Sequence, residues 1–247
     1  MTQFSYQLYS SRNFPPLEDT LRMLRDLGYV AVEGYGALYA DPEMVTRLAD
    51  ALQDTGLAMP TAHMALSMLE EEPDRVIAIA ARLGLKKIYI PFLGPEERPH
   101  DPTGWRNFGA RLQAAGAPLR AAGIGFGWHN HDFEFRPLAC GTIPQEAIFE
   151  GGPDLEWEAD LAWILRGGAD PLEWIARHGA RITAVHIKDI APEGTTAEDG
   201  WADPGHGTMD WPALMTALRG TNCTYFIMEH DNPDDHHRFA SRAIAAF

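Results

Sequence analysis

The sequence predicts an α/β protein of the (β/α)8 TIM barrel class, folded as a single domain over residues 1–247. Three observations carry that expectation. Short apolar or β-branched runs alternate with amphipathic stretches of helical length from one end of the chain to the other, the pattern of a parallel sheet wrapped by helices. Eight such pairs follow one another with no linker-like stretch between them. Polar residues collect at the C-terminal ends of the runs, where barrels of this class carry their sites.

Phe4 to Tyr9 reads as the first strand and Leu17 to Leu27 as its helix, closed by Gly28. Val30 to Tyr35 is the second strand; its helix opens at Asp41-Pro42 and stops at Gly56, an acceptor cap followed by a proline that needs no N–H partner. Ala58 to Met64 is the third strand, followed by a helix from Pro73-Asp74 to Gly84. Glu70-Glu71-Glu72 between them reads as a solvated loop or a helix start. Lys87 to Phe92 is the fourth strand, with a long helical region from Thr103 to Ala122. Gly123 to His131 is the fifth, with a short helix near Pro144 to Phe149, and Leu155 to Asp160 the sixth, with a helix over Pro171 to His178. Ile182 to Lys188 and Trp211 to Leu218 form the seventh pair, and Tyr225 to Glu229 and Phe239 to Ala245 the last.

Composition narrows the function. A formal net charge of −15 argues against a nucleic-acid partner, since phosphate binding needs an excess of Lys and Arg. No apolar run approaches membrane-spanning length, and the first residues lack the basic and apolar segments of a signal peptide. Cys140 and Cys223 are too few for a disulfide framework, so a cytoplasmic location with reduced thiols is expected. The apolar end Ala243 to Phe247 would be better covered by a partner, which leads to the expectation of a homo-oligomer.

The titratable residues are the most informative. His129-Asn130-His131-Asp132-Phe133-Glu134, Glu158-Ala159-Asp160, His186-Ile187-Lys188-Asp189 and Glu229-His230-Asp231 each end a strand-like run. Imidazoles and carboxylates gathered from several strand ends are donors for a divalent cation. One histidine at a strand end is more often a structural residue, but that reading weakens with each strand added. No GxGxxG motif, P-loop or nucleophile elbow is present.

With these segments, and with Gly168-Ala169-Asp170-Pro171 and Gly205-His206-Gly207-Thr208-Met209-Asp210-Trp211, nearly the whole chain resembles the sugar phosphate isomerase/epimerase superfamily. These are the xylose isomerase-like barrels that include tagatose epimerases, inosose dehydratase and endonuclease IV. The resemblance implies one divalent metal ion, Mn²⁺ first, with Co²⁺, Mg²⁺ or Zn²⁺ as alternatives. It implies Asp160, His186 and Glu229 as ligands. For the fourth, relatives have Glu-Asn-His where this chain has His129-Asn130-His131. Either His129 replaces the glutamate, or Glu134 supplies a carboxylate from just past the strand; Glu134 is preferred because it restores a three-carboxylate site.

The reaction implied is proton abstraction beside the carbonyl of a keto-sugar or polyol, as an isomerase or epimerase. A lyase of the inosose dehydratase or 3-keto-glycoside-cleaving type, beginning with the same enolisation, is the alternative. His131 is the candidate base, Glu229 a ligand that also exchanges a proton, and Lys188 a stabiliser of developing negative charge or a salt-bridge partner of Asp189 or Asp160. Glu33, His63, His129 and His206 are candidates for binding substrate hydroxyls, and Trp128 and Trp163 for stacking on a sugar ring. His236-His237 reads as a surface turn. A DNA-repair nuclease conflicts with the acidity of the chain, and a non-catalytic sugar binder leaves the clustered proton-transfer groups without a role. The expected partner is a small-molecule sugar, with no nucleic acid and no membrane.

Overall fold

In the computed structural model, which describes residues 3–247, eight parallel strands close into a barrel. They are β1 (Phe4–Gln7), β2 (Ala31–Gly34), β3 (Ala58–His63), β4 (Lys87–Ile90), β5 (Gly125–His129), β6 (Glu156–Asp160), β7 (Ile182–Ile187) and β8 (Tyr225–Met228). Each pairs with its neighbours in chain order, and β8 closes on β1 with Met228 opposite Tyr6.

The strands are shorter than the apolar runs suggested, because their ends turn outward. After β1 the chain enters a 3-10 turn at Leu8–Ser11, and after β5 another at Phe133–Phe135. Helix starts follow the caps read from sequence. Asp41 accepts from the amide of Met44 at the start of Pro42–Thr55, and Gly56 ends that helix at φ 72°, a backbone conformation that favours glycine. The long region expected over Thr103 to Ala122 is two helices, Pro102–Ala115 and Ala117–Ala121. The break falls where Pro118 lacks an N–H, and at Gly116, whose Cβ would stand 2.1 Å from the Phe126 ring.

Three elements were not foreseen: the helices Leu66–Glu71 and Leu161–Arg166, and a two-stranded antiparallel ribbon pairing Asp189–Ile190 with Trp201–Ala202. The first places Glu70 and Glu71 in a helix. Among the described residues no helix is long and apolar enough to cross a membrane.

Most apolar side chains fill the layer between strands and helices, including Ile88, Phe126, Trp128, Trp157 and Val185. Inside the barrel the sequence is different. Tyr89, Ala184 and Ile227 form a small separate cluster, with Lys87 paired to Glu156 at 2.6 Å. Alternation along the strands then carries the inward-facing positions up to Gln7, Glu33, His63, His129, Glu158, Asp160 and His186, all buried. The upper lumen is polar, and it is where the chemistry lies. The C-terminal end is partly covered within the chain: the Phe247 ring packs 5.8 Å from Phe4 and 5.6 Å from Trp211 and Ala243 is buried, while Phe247 stays 37% exposed.

Candidate metal centre and substrate cavity

β6, and β7 with the residue that follows it, each send two chemically active side chains inward at a spacing of two residues: Glu158 with Asp160, and His186 with Lys188. Strand register sets His129 beside Glu158 and Asp160 beside His186. Two groups result, in each of which the potential donor atoms lie within 4.8 Å of one another. One is His129, Asp160, His186 and Glu229; the other is His63, His129, Glu158 and His186. The second sits a layer deeper on β6, because Glu158 precedes Asp160.

His186 joins the layers. Its Nδ1 lies 2.7 Å from Glu229 Oε2 and its Nε2 2.7 Å from Glu33 Oε1. A neutral imidazole carries one N–H, so it cannot donate to both carboxylates. Either the ring is doubly protonated, or one carboxylate, such as Glu33, which burial lifts to about 7, holds a proton, or a cation stands on one side. On the deeper side Glu33 also accepts from Gln7 at 2.8 Å, and His63 Nε2 is 2.5 Å from Glu158. On the outer side Asp160 and Glu229 face the lumen beside His129, whose Nδ1 lies 3.2 Å from Glu158 Oε2. Burial and the neighbouring His186 push the His129 imidazole down to about 3, so it is a neutral donor. Burial, opposed by the nearby Lys188, lifts Asp160 to about 6.

Lys188 is fully buried beneath these carboxylates, with Nζ 2.7 Å from Asp231, 3.0 Å from Glu229 and 3.4 Å from Asp160. Burial opposes its charge, but the three acids outweigh that and raise its pKa. Asp189, the other expected partner, turns away and accepts from the amides of Ile190, Gly205 and Met209. Glu33, Glu158, Asp160, Glu229 and Asp231 crowd one space, and besides Lys188 their charge is offset by His186 and His63, whose pKa values the neighbouring carboxylates raise against burial; a divalent cation would offset the same charge. The outer donor set of two imidazoles and two carboxylates fits such an ion.

The strand-five motif resolves differently from the preferred reading. Glu134 is fully buried outside both donor groups. Its oxygens accept from Trp128 Nε1 and from the amide of His131, each at 3.0 Å. Burial pushes it up to about 8. Its role in this geometry is to hold the chain beyond β5, with the Trp128 indole, which is buried away from the lumen and packs edge-on to Phe108. Asn130 locks the same corner: its Oδ1 accepts from the Asp160 amide and Trp157 Nε1, and its Nδ2 donates to the Asp160 carbonyl.

Above the floor opens a cavity of about 630 Å³, lined by His63, His129, His131, Trp163, Glu229 and Asp231 among others. His131 is wedged between Phe92 and Trp163, with ring centroids at 5.4 and 5.2 Å. Burial and the nearby His129 and Lys188 hold its pKa well below the usual histidine range, so the ring is neutral, its lone pair is free, and its basicity is reduced in the absence of substrate.

Of the remaining candidates, His63 reaches the cavity while Glu33 is sealed below it. His206 is exposed and does not line the cavity; Gly205 beside it approaches Ala246 near the end of the chain. His236 opens the last helix and stacks on Phe14. Glu158 and Asp231 stood in the strand-end clusters with no role assigned to them, and Gln7 was not marked at all. Glu158 could have been found, since it shares the strand parity of Asp160, but Gln7 reaches the floor only through barrel closure. Tyr9, Arg12 and Phe92 line the mouth from loops, where no periodicity marks them.

A family profile described as xylose isomerase-like TIM barrel matches residues 21–246. No curated protein is significantly similar in sequence. Among solved structures, a sugar phosphate isomerase/epimerase from Parabacteroides distasonis ATCC 8503 is 20% identical, covering 99% of this chain and 92% of its own, with a TM-score of 0.82. The IOLI protein with a bound zinc atom is 15% identical, covering 99% and 95%, with a TM-score of 0.77. The 3-keto-D-glucoside 4-epimerase YcjR from E. coli is 18% identical, covering 99% and 98%, with a TM-score of 0.74. At these identities the likeness is one of fold.

Proposed function

The chain belongs to the xylose isomerase-like TIM barrel family, and on that premise we propose that it is a divalent-metal-dependent isomerase or epimerase of a keto-sugar or polyol. The observation that carries this reading is the convergence of His129, Asp160, His186 and Glu229 on the floor of a large cavity at the strand ends. These four would hold the ion, with His129 in the place where the sequence favoured Glu134. Two nitrogens and two oxygens suit Zn²⁺, Co²⁺ or Mn²⁺ better than Mg²⁺, which prefers oxygen alone. When bound, the ion would supply a Lewis acid for a substrate carbonyl and its neighbouring hydroxyl oxygen.

The chain's own residues account for the rest. Glu33 accepts the Nε2–H of His186 and so fixes the tautomer that presents Nδ1 as a donor. Lys188 holds Asp160, Glu229 and Asp231 in place and keeps them ionised. The neutral imidazole of His131 takes the proton from the carbon beside the carbonyl. Glu229, just past the end of β8, lines the cavity as an ionised carboxylate and is available to take up and return a proton from another direction, as epimerisation requires. Phe92 and Trp163 flank His131 and limit its access to water.

A lyase acting on a 3-keto-glycoside is the second reading, favoured by the size of the cavity, which leaves room for a departing group. Incubating metal-loaded protein with a 3-keto-glucoside separates the two: an epimerised sugar supports the first, and a released aglycone the second. His131→Ala should keep its metal and lose roughly 10²–10⁴-fold in turnover. Unchanged turnover, or loss of metal, would remove His131 as the base.

A further inference from the structure

We propose that the cavity takes an uncharged, two-ring substrate: a sugar on the floor and, at the mouth, an aglycone whose apolar face stacks on Phe92. The inference deepens the reading above and rests on it for the floor. Two independent observations carry it.

The first is the wall beside His131. Phe92 is 51% exposed, although a phenyl ring is ordinarily buried, and it lines the cavity. It is held in place: its ring meets Phe133 edge-on at 6.2 Å, and the Arg98 guanidinium, which donates to the Leu93 carbonyl, stands 5.4 Å from its centroid. Tyr9, 39% exposed, is a second open aromatic at the same mouth. A cavity of about 630 Å³ is larger than a single hexose needs, and its apolar surplus lies at this rim.

The second observation is the lack of a place for a phosphate group. Among the described residues lining the cavity Arg12 is the only Lys or Arg, and it is partly committed: its Nη1 donates to the carbonyls of Tyr9 and Asp231, at 2.9 and 2.6 Å, which leaves Nε and Nη2 as its remaining donors. Lys188 is fully engaged with three carboxylates. Asp199, Glu229 and Asp231 line the same space and would repel a phosphate dianion. Ring stacking, not charge, is what this mouth offers to the outer part of a ligand.

Titration calorimetry of the Mn²⁺-loaded protein with methyl β-D-glucopyranoside, phenyl β-D-glucopyranoside and glucose 6-phosphate tests this, since none of these carries the ketone needed for turnover. The phenyl glucoside is expected to bind roughly tenfold more tightly than the methyl glucoside. Phe92→Ala should remove that difference and leave the methyl glucoside unchanged. Glucose 6-phosphate should bind no better than the methyl glucoside. Equal binding of the two glucosides overturns the outer site while leaving the sugar floor standing. So does a phenyl advantage that survives Phe92→Ala, or a preference for the phosphate. Failure of all three to bind counts against the floor reading as well.

Discussion

Glu134 and His129 compete, in sequence, for one place among the ligands, and their surroundings separate them. Glu134 spends both oxygens on N–H donors of its own corner, whereas His129 stands in the donor group with Asp160, His186 and Glu229. Glu134→Gln is therefore expected to retain wild-type metal affinity. It should cost about 1–3 kcal/mol of stability, because an amide oxygen replaces only one of the two acceptors. His129→Ala should lose the metal with the fold intact. Metal titration and thermal melts of both variants check this, and a Glu134→Gln protein stripped of metal would restore the carboxylate assignment.

Glu33 changes role on the same scale. Sealed below the cavity, it cannot meet a substrate hydroxyl, but it can set the orientation of His186. Glu33→Gln should weaken metal binding about 10–100-fold while circular dichroism stays unchanged. In a Co²⁺-substituted protein the visible absorption should shift as the imidazole reorients. Unaltered affinity and spectrum would leave Glu33 as a filler of the barrel interior. Residue types at strand ends were legible in sequence because parity marks which side chains face inward. Which carboxylate meets which imidazole was not, because that depends on contacts such as Glu33 with His186, 153 positions apart in the chain.

At the scale of elements, the least expected feature is the ribbon after β7. His186-Ile187-Lys188-Asp189 reads as one motif, yet the chain divides its labour: the first three residues complete the barrel and Asp189 builds the loop above it. Its carboxylate gathers three backbone amides, and Gly207 is required there because a Cβ would stand 2.2 Å from Asp189 Oδ1. The ribbon carries Asp199 to the cavity rim, at φ 58°. Glu198 anchors that segment through Arg238 Nη2 and the Asp234 amide, both at 2.6 Å. Asp189→Ala should destabilise the protein by about 2–4 kcal/mol and open residues 190–210 to proteolysis. Limited digestion that cuts no faster there than in wild type would contradict this. Two-residue strands and side-chain-to-amide turns leave no hydrophobic period, which is why the ribbon could not be read beforehand.

For the whole molecule, the acidic surface and the polar lumen are separate matters. The net charge of −15 includes Glu33, Glu158, Asp160 and Glu229, whose charge is directed inward. The apolar C-terminal end, which suggested a partner, is covered in part within the chain by Phe4 and Trp211, with Phe247 still 37% exposed. Phe247→Ala should lower the melting temperature by roughly 2–6 °C, about 1–2 kcal/mol of lost burial. Sedimentation should show the same association state before and after; a shift in that state would return the end of the chain to an interface.

The sequence by itself determined the (β/α)8 architecture, the order of its eight pairs and the face on which the chemistry lies, because strand and helix periods and cap residues are local signals that repetition reinforces. It also placed Asp160, His186 and Glu229 at strand ends. Only the tertiary structure decided that His129 rather than Glu134 faces them, that Glu33 lies behind His186, and that Phe92 and Tyr9 stand open at the mouth. Those outcomes depend on barrel closure, on the register between strands and on loops that turn back over the rim. These bring together residues far apart in the chain, and no pattern within a few positions encodes them.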